Sequence, residues 1–271
     1  MHSGSAEPAA SRKECSRQDA SLNVGARAAE RRPGDAAAAQ QEIQRLAVGI
    51  THNLNNLLTG VMCGSGMALD SLAPDHPARP PLEMALRAAE RATILVKQIM
   101  AYAGIRIAPL SAVDLSGLAA HSVAGLGDTI PSRVQMRLDL LQGLTLYDAD
   151  CHQLEQTITA LVWNAVEAVG EGEGVVSVRT FAGKICDLPG WPGPVVCVGL
   201  EVTDTGCGMD ARILGQIFEP FFSTKSLGRG LSLAAVAGIV RAHRGALHVE
   251  STPGSGTTFR ILLPVCAHAE A

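Results

Sequence analysis

Four prolines, Pro74, Pro77, Pro80 and Pro81, crowd the stretch APDHPARPP and set what the first part of this chain can fold into. Proline lacks an N–H and clashes with the preceding turn, so no helix interior runs through such a cluster. On both sides of it the apolar residues keep a helical period. Upstream, Ile43, Leu46, Ile50, Leu54, Leu57 and Val61 recur at steps of three and four, and the stripe continues through Ala68 and Leu72. Downstream, Leu82, Leu86, Ala89, Thr93, Val96, Met100 and Ala103 form a coiled-coil-like seam. Two long amphipathic helices joined by a short break predict an antiparallel hairpin over residues 41–107. One hairpin leaves an apolar flank open, and pairing with a second copy into a four-helix bundle closes it.

Residues 1–40 hold almost no large apolar side chains and are expected to be a disordered tail. Beyond Pro109 the pattern changes to short alternating strands and helices. VDLSGLAAHSVAGL reads as a strand entering a helix, VQMRLDL as a strand, and HQLEQTITALVWNAVEAV as a helix. Asp150 and Gln153 resemble a capping box at the start of that helix. VVSVRTF and VVCVGLEVTD follow as strands. After a loop-rich region comes LSLAAVAGIVRAHR, a helix ending at Gly245, and then the hairpin ALHVES–TTFRILLP. Helices on one face of a mixed sheet predict an α+β fold, an α/β sandwich over 108–265 followed by a short tail, 266–271. With only 3% aromatic residues, its core must rest on Leu, Val, Ala and Ile.

A net charge of −4 gives no electrostatic case for direct nucleic-acid binding. The seven cysteines are odd in number and show no CxxC spacing, which predicts reduced thiols without a disulfide framework or zinc site. No apolar run reaches the roughly 18 residues of a membrane span, so the expected setting is cytoplasmic, away from the membrane.

Four places carry residues suited to chemistry. His52 is two residues from Ile50, about 200° of helical rotation, so it points away from the apolar stripe; Asn55 and Asn56 follow it on the same face. It is either an ordinary solvated histidine or a reactive one. Asn164 lies in an apolar helix and needs a partner, which could be backbone or a metal bound to phosphates. Asp204, Gly206 and Gly208, in DTGCGM after an apolar strand, form a plain Asp–Gly turn or an acceptor for the exocyclic amine of adenine with glycines that permit close approach. In FEPFFSTKSLGRGLSL, Gly228 and Gly230 precede a helix start that favours phosphate, with Lys225 and Arg229 as cations beside them. The bland alternative there is a flexible basic loop. No Walker-type GxxxxGK[ST] is present.

Taken in order, THNLNNLL, WNAVEAV, DTGCGM, FEPFF and GRGLSLAAVAGIV resemble the boxes of sensor histidine kinases, in particular the soluble-core type with HDFNNLL around the phosphoacceptor. The resemblance covers about Leu46 to Pro264. It implies that His52 accepts the phosphoryl group of ATP on a homodimeric hairpin, and that Asn164 holds Mg²⁺. It also implies that Asp204 recognises adenine with Gly206 and Gly208 shaping its pocket, and that Gly228 and Gly230 close a mobile lid anchored by the Phe218–Phe222 cluster against the hairpin. The phosphohistidine would then pass its group to an aspartate of a separate response regulator.

Three positions depart from the family pattern. Asn53 stands where an acid usually follows the histidine, Ala160 where an asparagine is frequent, and Ser232 where the third lid glycine is usual. A carboxylate beside the histidine orients it and offsets its developing charge, and general-base help is worth roughly 10²–10⁴-fold, so slow autophosphorylation is expected. Asn56, one turn after His52, is placed to orient a water for phosphatase chemistry. The competing readings are a scaffold or phosphotransfer protein that only binds a response regulator, and an ATPase or serine-directed kinase of the same superfamily. The second does not need the exposed histidine.

Overall fold

The computed structural model describes residues 20–23, 33–105, 108–186, 188, 191, 193–224 and 230–265, with side chains from Thr51 onward apart from His52, Asp128 and 183–186. Helix α1 (Pro33–Ser71) and helix α2 (Arg79–Tyr102) form the hairpin. α1 starts earlier than the Gln41 predicted from the apolar stripe. Pro33 suits a first helical turn and Ala36–Ala39 are strong helix formers. At the turn, the Arg79 guanidinium donates to the carbonyls of Leu69 at 2.7 Å and Leu72 at 3.1 Å, satisfying oxygens that the end of α1 leaves open. Pro80 and Pro81 sit in the first turn of α2, where a missing N–H costs nothing.

The α2 seam packs as its spacing predicts: Ala89, Val96 and Ala103 are buried, with Leu82, Leu86, Thr93 and Met100 half-buried between them. The middle of the α1 stripe does not, although Ala68 and Leu72 at its end are half-buried; the side chains of Ile43, Leu46 and Ile50 lie outside the described residues. Leu57 is 68% exposed and Val61 48%, while Thr51 and Ser65 are buried and Met62 accepts from the Thr93 hydroxyl. The apolar arc of α1 is wider than one helix can cover. α2 takes the side bearing Thr51, Leu58, Met62 and Ser65, where small side chains permit close approach, and leaves the neighbouring side open.

The second unit is a six-stranded sheet of order β1-β7-β8-β6-β5-β3, built from β1 (Ala20–Asn23), β3 (Val134–Leu140), β5 (Gly174–Cys186), β6 (Val195–Asp204), β7 (Ala246–Thr252) and β8 (Gly256–Pro264). Only the β3–β5 pair is parallel. Strands β2 (Ser111–Asp114) and β4 (Thr145–Ala149) form a separate antiparallel pair. Helices α3 (Leu115–Leu126), α4 (Cys151–Val169) and α6 (Ser232–Ala242) pack Ile158, Leu161, Val162 and Val236 against Val176, Val202, Phe259 and Ile261 of the sheet. A single turn, α5 (Ala211–Leu214), is capped by Asp210, which accepts from Ile213 N at 2.7 Å.

The opposite sheet face is polar, as strand alternation requires. One cross-strand row reads Asp139, Arg179, Glu201, Arg260 and His248 in register. Its charges alternate, with Asp139–Arg179 at 3.1 Å and Glu201–Arg260 at 2.7 Å. Burial and the Arg260 charge hold the His248 imidazole below its ordinary range, while Glu250 opposes them.

Three local readings of the sequence are corrected. β1 lies within the segment expected to be disordered, because main-chain pairing to the open edge of β7 asks little of its side chains. Asp150 does accept from Gln153 N at 3.1 Å, but the Gln153 side chain does not complete a capping box. It donates to Ile105 O at 2.7 Å, pinning the segment that leaves the hairpin, and the Asp150 N–H goes to His243 Nε2 at 3.0 Å instead. α6 ends at Ala242, and the left-handed residue is Arg244 (φ 54), not Gly245. The pair Gly245 N→Val240 O and Arg244 N→Arg241 O makes a Schellman end, and Gly245 is required because a Cβ there would meet the Leu262 carbonyl. Among the described residues no helix is long and apolar enough to cross a membrane.

Candidate functional site: a cleft between hairpin and sandwich

α4 is amphipathic in two senses. One side feeds the core; the other, bearing Gln156, Ala160, Trp163, Asn164 and Glu167 at helical spacing, forms the wall of a cleft of about 1020 Å³. Met209, Ile213 and Ile217 line it from the segment after β6, Phe222, Thr224, Gly230 and Ser232 from the approach to α6, and Ile94, Lys97 and Gln98 from α2. A cavity of this size with mostly apolar walls and a few polar groups is typical of a small-molecule site.

Asn164 faces the cleft and not the core. It is half-buried on the cleft wall and its side chain makes no hydrogen bond with any described residue, so the reading of a core amide satisfied by backbone is ruled out. Its oxygen is available to a ligand or metal.

Asp204 ends β6 at 2% exposure, and its Oδ1 accepts from Gly206 N at 2.8 Å. The glycines after it are needed for protein contacts. A Cβ on Gly206 would strike the Ala168 backbone of α4, and one on Gly208 (φ 63) the Thr252 carbonyl. Cys207 N donates to Ala168 O at 3.0 Å and Gly254 N to Cys207 O at 2.7 Å, clamping the loop between α4 and the β7–β8 turn. The DTGCGM loop is therefore a rigid turn whose shape only glycine permits; of its residues only Met209 lines the cleft, and Asp204, Gly206 and Gly208 lie behind it.

Gly230 closes a neck: Phe221 N donates to its carbonyl at 3.0 Å, and a Cβ on it would strike the Phe221 backbone. Lys225, Gly228 and Arg229 lie outside the described residues. Phe218 and Phe222 pack onto the sandwich core, whereas Phe221 is 77% exposed. The expected anchoring of a lid on the hairpin by these aromatics is thus corrected. The sandwich meets the hairpin through α6, where Ala235 and Ile239 pack on Ala101 and Gly238 has no room for a Cβ against the Ala101 carbonyl. Gln98 Nε2 donates to Ser232 Oγ at 3.2 Å and Arg241 to Tyr102 O at 3.0 Å across the same seam. Desolvation there lowers the Arg241 pKa from its ordinary value, with Tyr102 opposing.

His52 lies in the backbone of α1, its side chain outside the described residues, and Asn53 and Asn56 beside it are exposed. No described residue of α1 lines the cleft, although α2 does. Sequence reasoning missed Trp163, Glu167 and the whole α2 contribution. The first two share the helical face of Asn164, so the spacing of α4 alone could have found them.

Residues 149–267 match the family model of histidine kinase-, DNA gyrase B-, and HSP90-like ATPases. The sensor kinase CckA of Brucella abortus (strain 2308) is 34% identical over 234 residues, spanning 83% of this chain and 24% of that protein. Among solved structures, full-length ShkA in complex with AMPPNP aligns at TM-score 0.65 and 22% identity, over 81% of this chain and 45% of that one. Histidine kinase ThkA in complex with the response regulator protein TrrA aligns at TM-score 0.51 and 18% identity, over 83% of this chain and 63% of that one. The chain thus spans about a quarter of the curated relative, and the structural likenesses speak to fold.

Proposed function

We propose that this chain, whose residues 149–267 belong to the histidine kinase-, DNA gyrase B- and HSP90-like ATPases and whose fold is of the histidine kinase type, is the kinase core of a two-component system. In this reading it moves the γ-phosphoryl group of ATP to His52 and from there to an aspartate of a separate response regulator. The observation that carries it is Asn164, an amide with no hydrogen-bond partner among the described residues, on the wall of a nucleotide-sized cleft. ShkA bound to AMPPNP and ThkA bound to TrrA support the donor and the partner.

Each residue has a part in this chemistry. Asp204, held by Gly206 N, presents a carboxylate to the exocyclic amine of adenine. The Asn164 oxygen suits Mg²⁺, a hard cation that prefers oxygen ligands and that, when bound, neutralises phosphate charge. Lys225, Gly228, Arg229 and Gly230 contribute donors and cations to the phosphates. Phosphoryl transfer of this kind is positioning plus electrostatics, so what remains is to bring a nucleophile in line. His52 is that nucleophile; Asn53 can hydrogen-bond its imidazole but cannot offset the charge that develops on it, and the transfer is slow as a result. Asn56 orients a water for the reverse traffic, dephosphorylation of the regulator. Because no described part of α1 reaches the cleft, transfer requires either that the sandwich swing about the α2–α6 seam or that a second copy present its hairpin. The exposed apolar side chains Leu54, Leu57 and Val61 on α1 support a homodimer.

Incubation with γ-labelled ATP and Mg²⁺ tests the proposal. Acid-labile label is expected on the wild type, none on His52→Gln, and about tenfold or more faster labelling in Asn53→Asp. Equal and robust labelling of wild type and Asn53→Asp would refute the slow-kinase part. The second reading, a scaffold that only binds a response regulator, draws on Ala160, an alanine on the cleft wall beside Asn164. It predicts no ATP affinity at all.

A further inference from the structure

The side of the cleft that the sandwich leaves open is closed by the hairpin, and the hairpin brings a charge to it. Lys97 on α2 lines the cleft and forms no ion pair with any described residue. Its neighbour Gln98 is hydrogen-bonded to Ser232, the first residue of α6. That bond fixes where Lys97 stands, one residue away along α2, at the end of the cleft where α6 begins. The Leu231 side chain does not cap α6, and the start of a helix favours negative charge through its dipole. The described lining of the cleft carries the carboxylates of Glu155 and Glu167, and Lys97 is its one permanently cationic side chain. A cation on the lining attracts an anion that enters the cleft.

We propose that Lys97 is a phosphate-contacting residue of this cleft, supplied by the hairpin and not by the sandwich. The proposal rests on the reading of the cleft as an ATP site and assigns that site a further binding residue. An ammonium on a flexible four-carbon stem acts as a point charge toward phosphate and needs no fixed fork geometry. Because Lys97 belongs to the other structural unit, a bound polyphosphate holds α2 and α6 together. Nucleotide occupancy and hairpin docking then favour each other, and by linkage the coupling is reciprocal.

The test compares ATP, ADP and adenosine binding to the full chain by titration calorimetry in the presence of Mg²⁺. The variants are Lys97→Gln, Lys97→Arg and Arg91→Gln, the last an exposed α2 residue outside the cleft. Lys97→Gln is expected to weaken ATP and ADP by about three- to tenfold and to flatten the salt dependence of their binding. Adenosine, which has no phosphate, keeps its affinity; Lys97→Arg restores most of the loss and Arg91→Gln changes nothing. Unchanged ATP affinity in Lys97→Gln would overturn the assignment while leaving the nucleotide site standing. An equal loss for ATP and adenosine would also overturn it, marking Lys97 as structural. A wild type that binds no ATP would bring down the reading of the cleft and the proposal with it.

Discussion

In the sandwich, Phe259 is 1% exposed, enclosed by strands and helices of its own chain, whereas in the hairpin Leu57 is 68% exposed on a helix of the same chain. The sandwich closes its core with two layers and turns a polar charge row to solvent. The hairpin has only two helices, and its apolar arc is wider than their mutual contact. The difference separates a unit that folds for itself from one that is finished by something outside it.

The sharpest way to break this comparison is Phe259→Ala. It should cost the sandwich about 3–5 kcal/mol, read as a lower urea midpoint of the domain signal, with hairpin helicity retained. Next is Leu57→Asp combined with Val61→Asp. If the open side of α1 is a self-association face, these charges weaken the dimer by at least about tenfold in sedimentation equilibrium; monomer stability stays within about 0.5 kcal/mol, because neither side chain is covered. A folded, still dimeric double variant would move the interface elsewhere. The smallest effect concerns the polar face. The His248 pKa is depressed in the folded chain, so below the ordinary value of 6.5 the unfolded chain takes up the proton first. Stability from this site is complete above 6.5 and falls as pH drops through the interval beneath it. His248→Gln should remove that slope, read in urea titrations on either side of pH 6.5, and the effect is the smallest of the three because the imidazole is only half-buried.

What was legible in the sequence had a local period. The α2 seam, the α4 helix with its Asp150 cap, and the strands of the sheet other than β1 follow from spacing and turn residues alone. Three features did not, each for a physical reason. β4 is five residues long and its partner β2 lies some thirty residues earlier, so nothing nearby announces it. The covered side of α1 was misread because periodicity reveals an apolar arc but not which part of it a partner takes. Lys97 was invisible because its neighbours in the cleft belong to another unit, and only the fold brings α2 against α6. The motifs singled out Asn164 and Gly230, both of which line the cleft, whereas the glycines after Asp204 do not. Gly206 and Gly208 make room for Ala168 and Thr252.

The α2–α6 seam has a consequence for movement. It is built from Ala101, Ala235, Ile239 and a glycine pressed against a carbonyl, with two side-chain hydrogen bonds at its margins. Gln98 and Arg241 each reach across it by one hydrogen bond, and between them the contact is made by Ala101, Ala235, Ile239 and backbone. A joint of this kind can part and re-form while the sandwich stays intact.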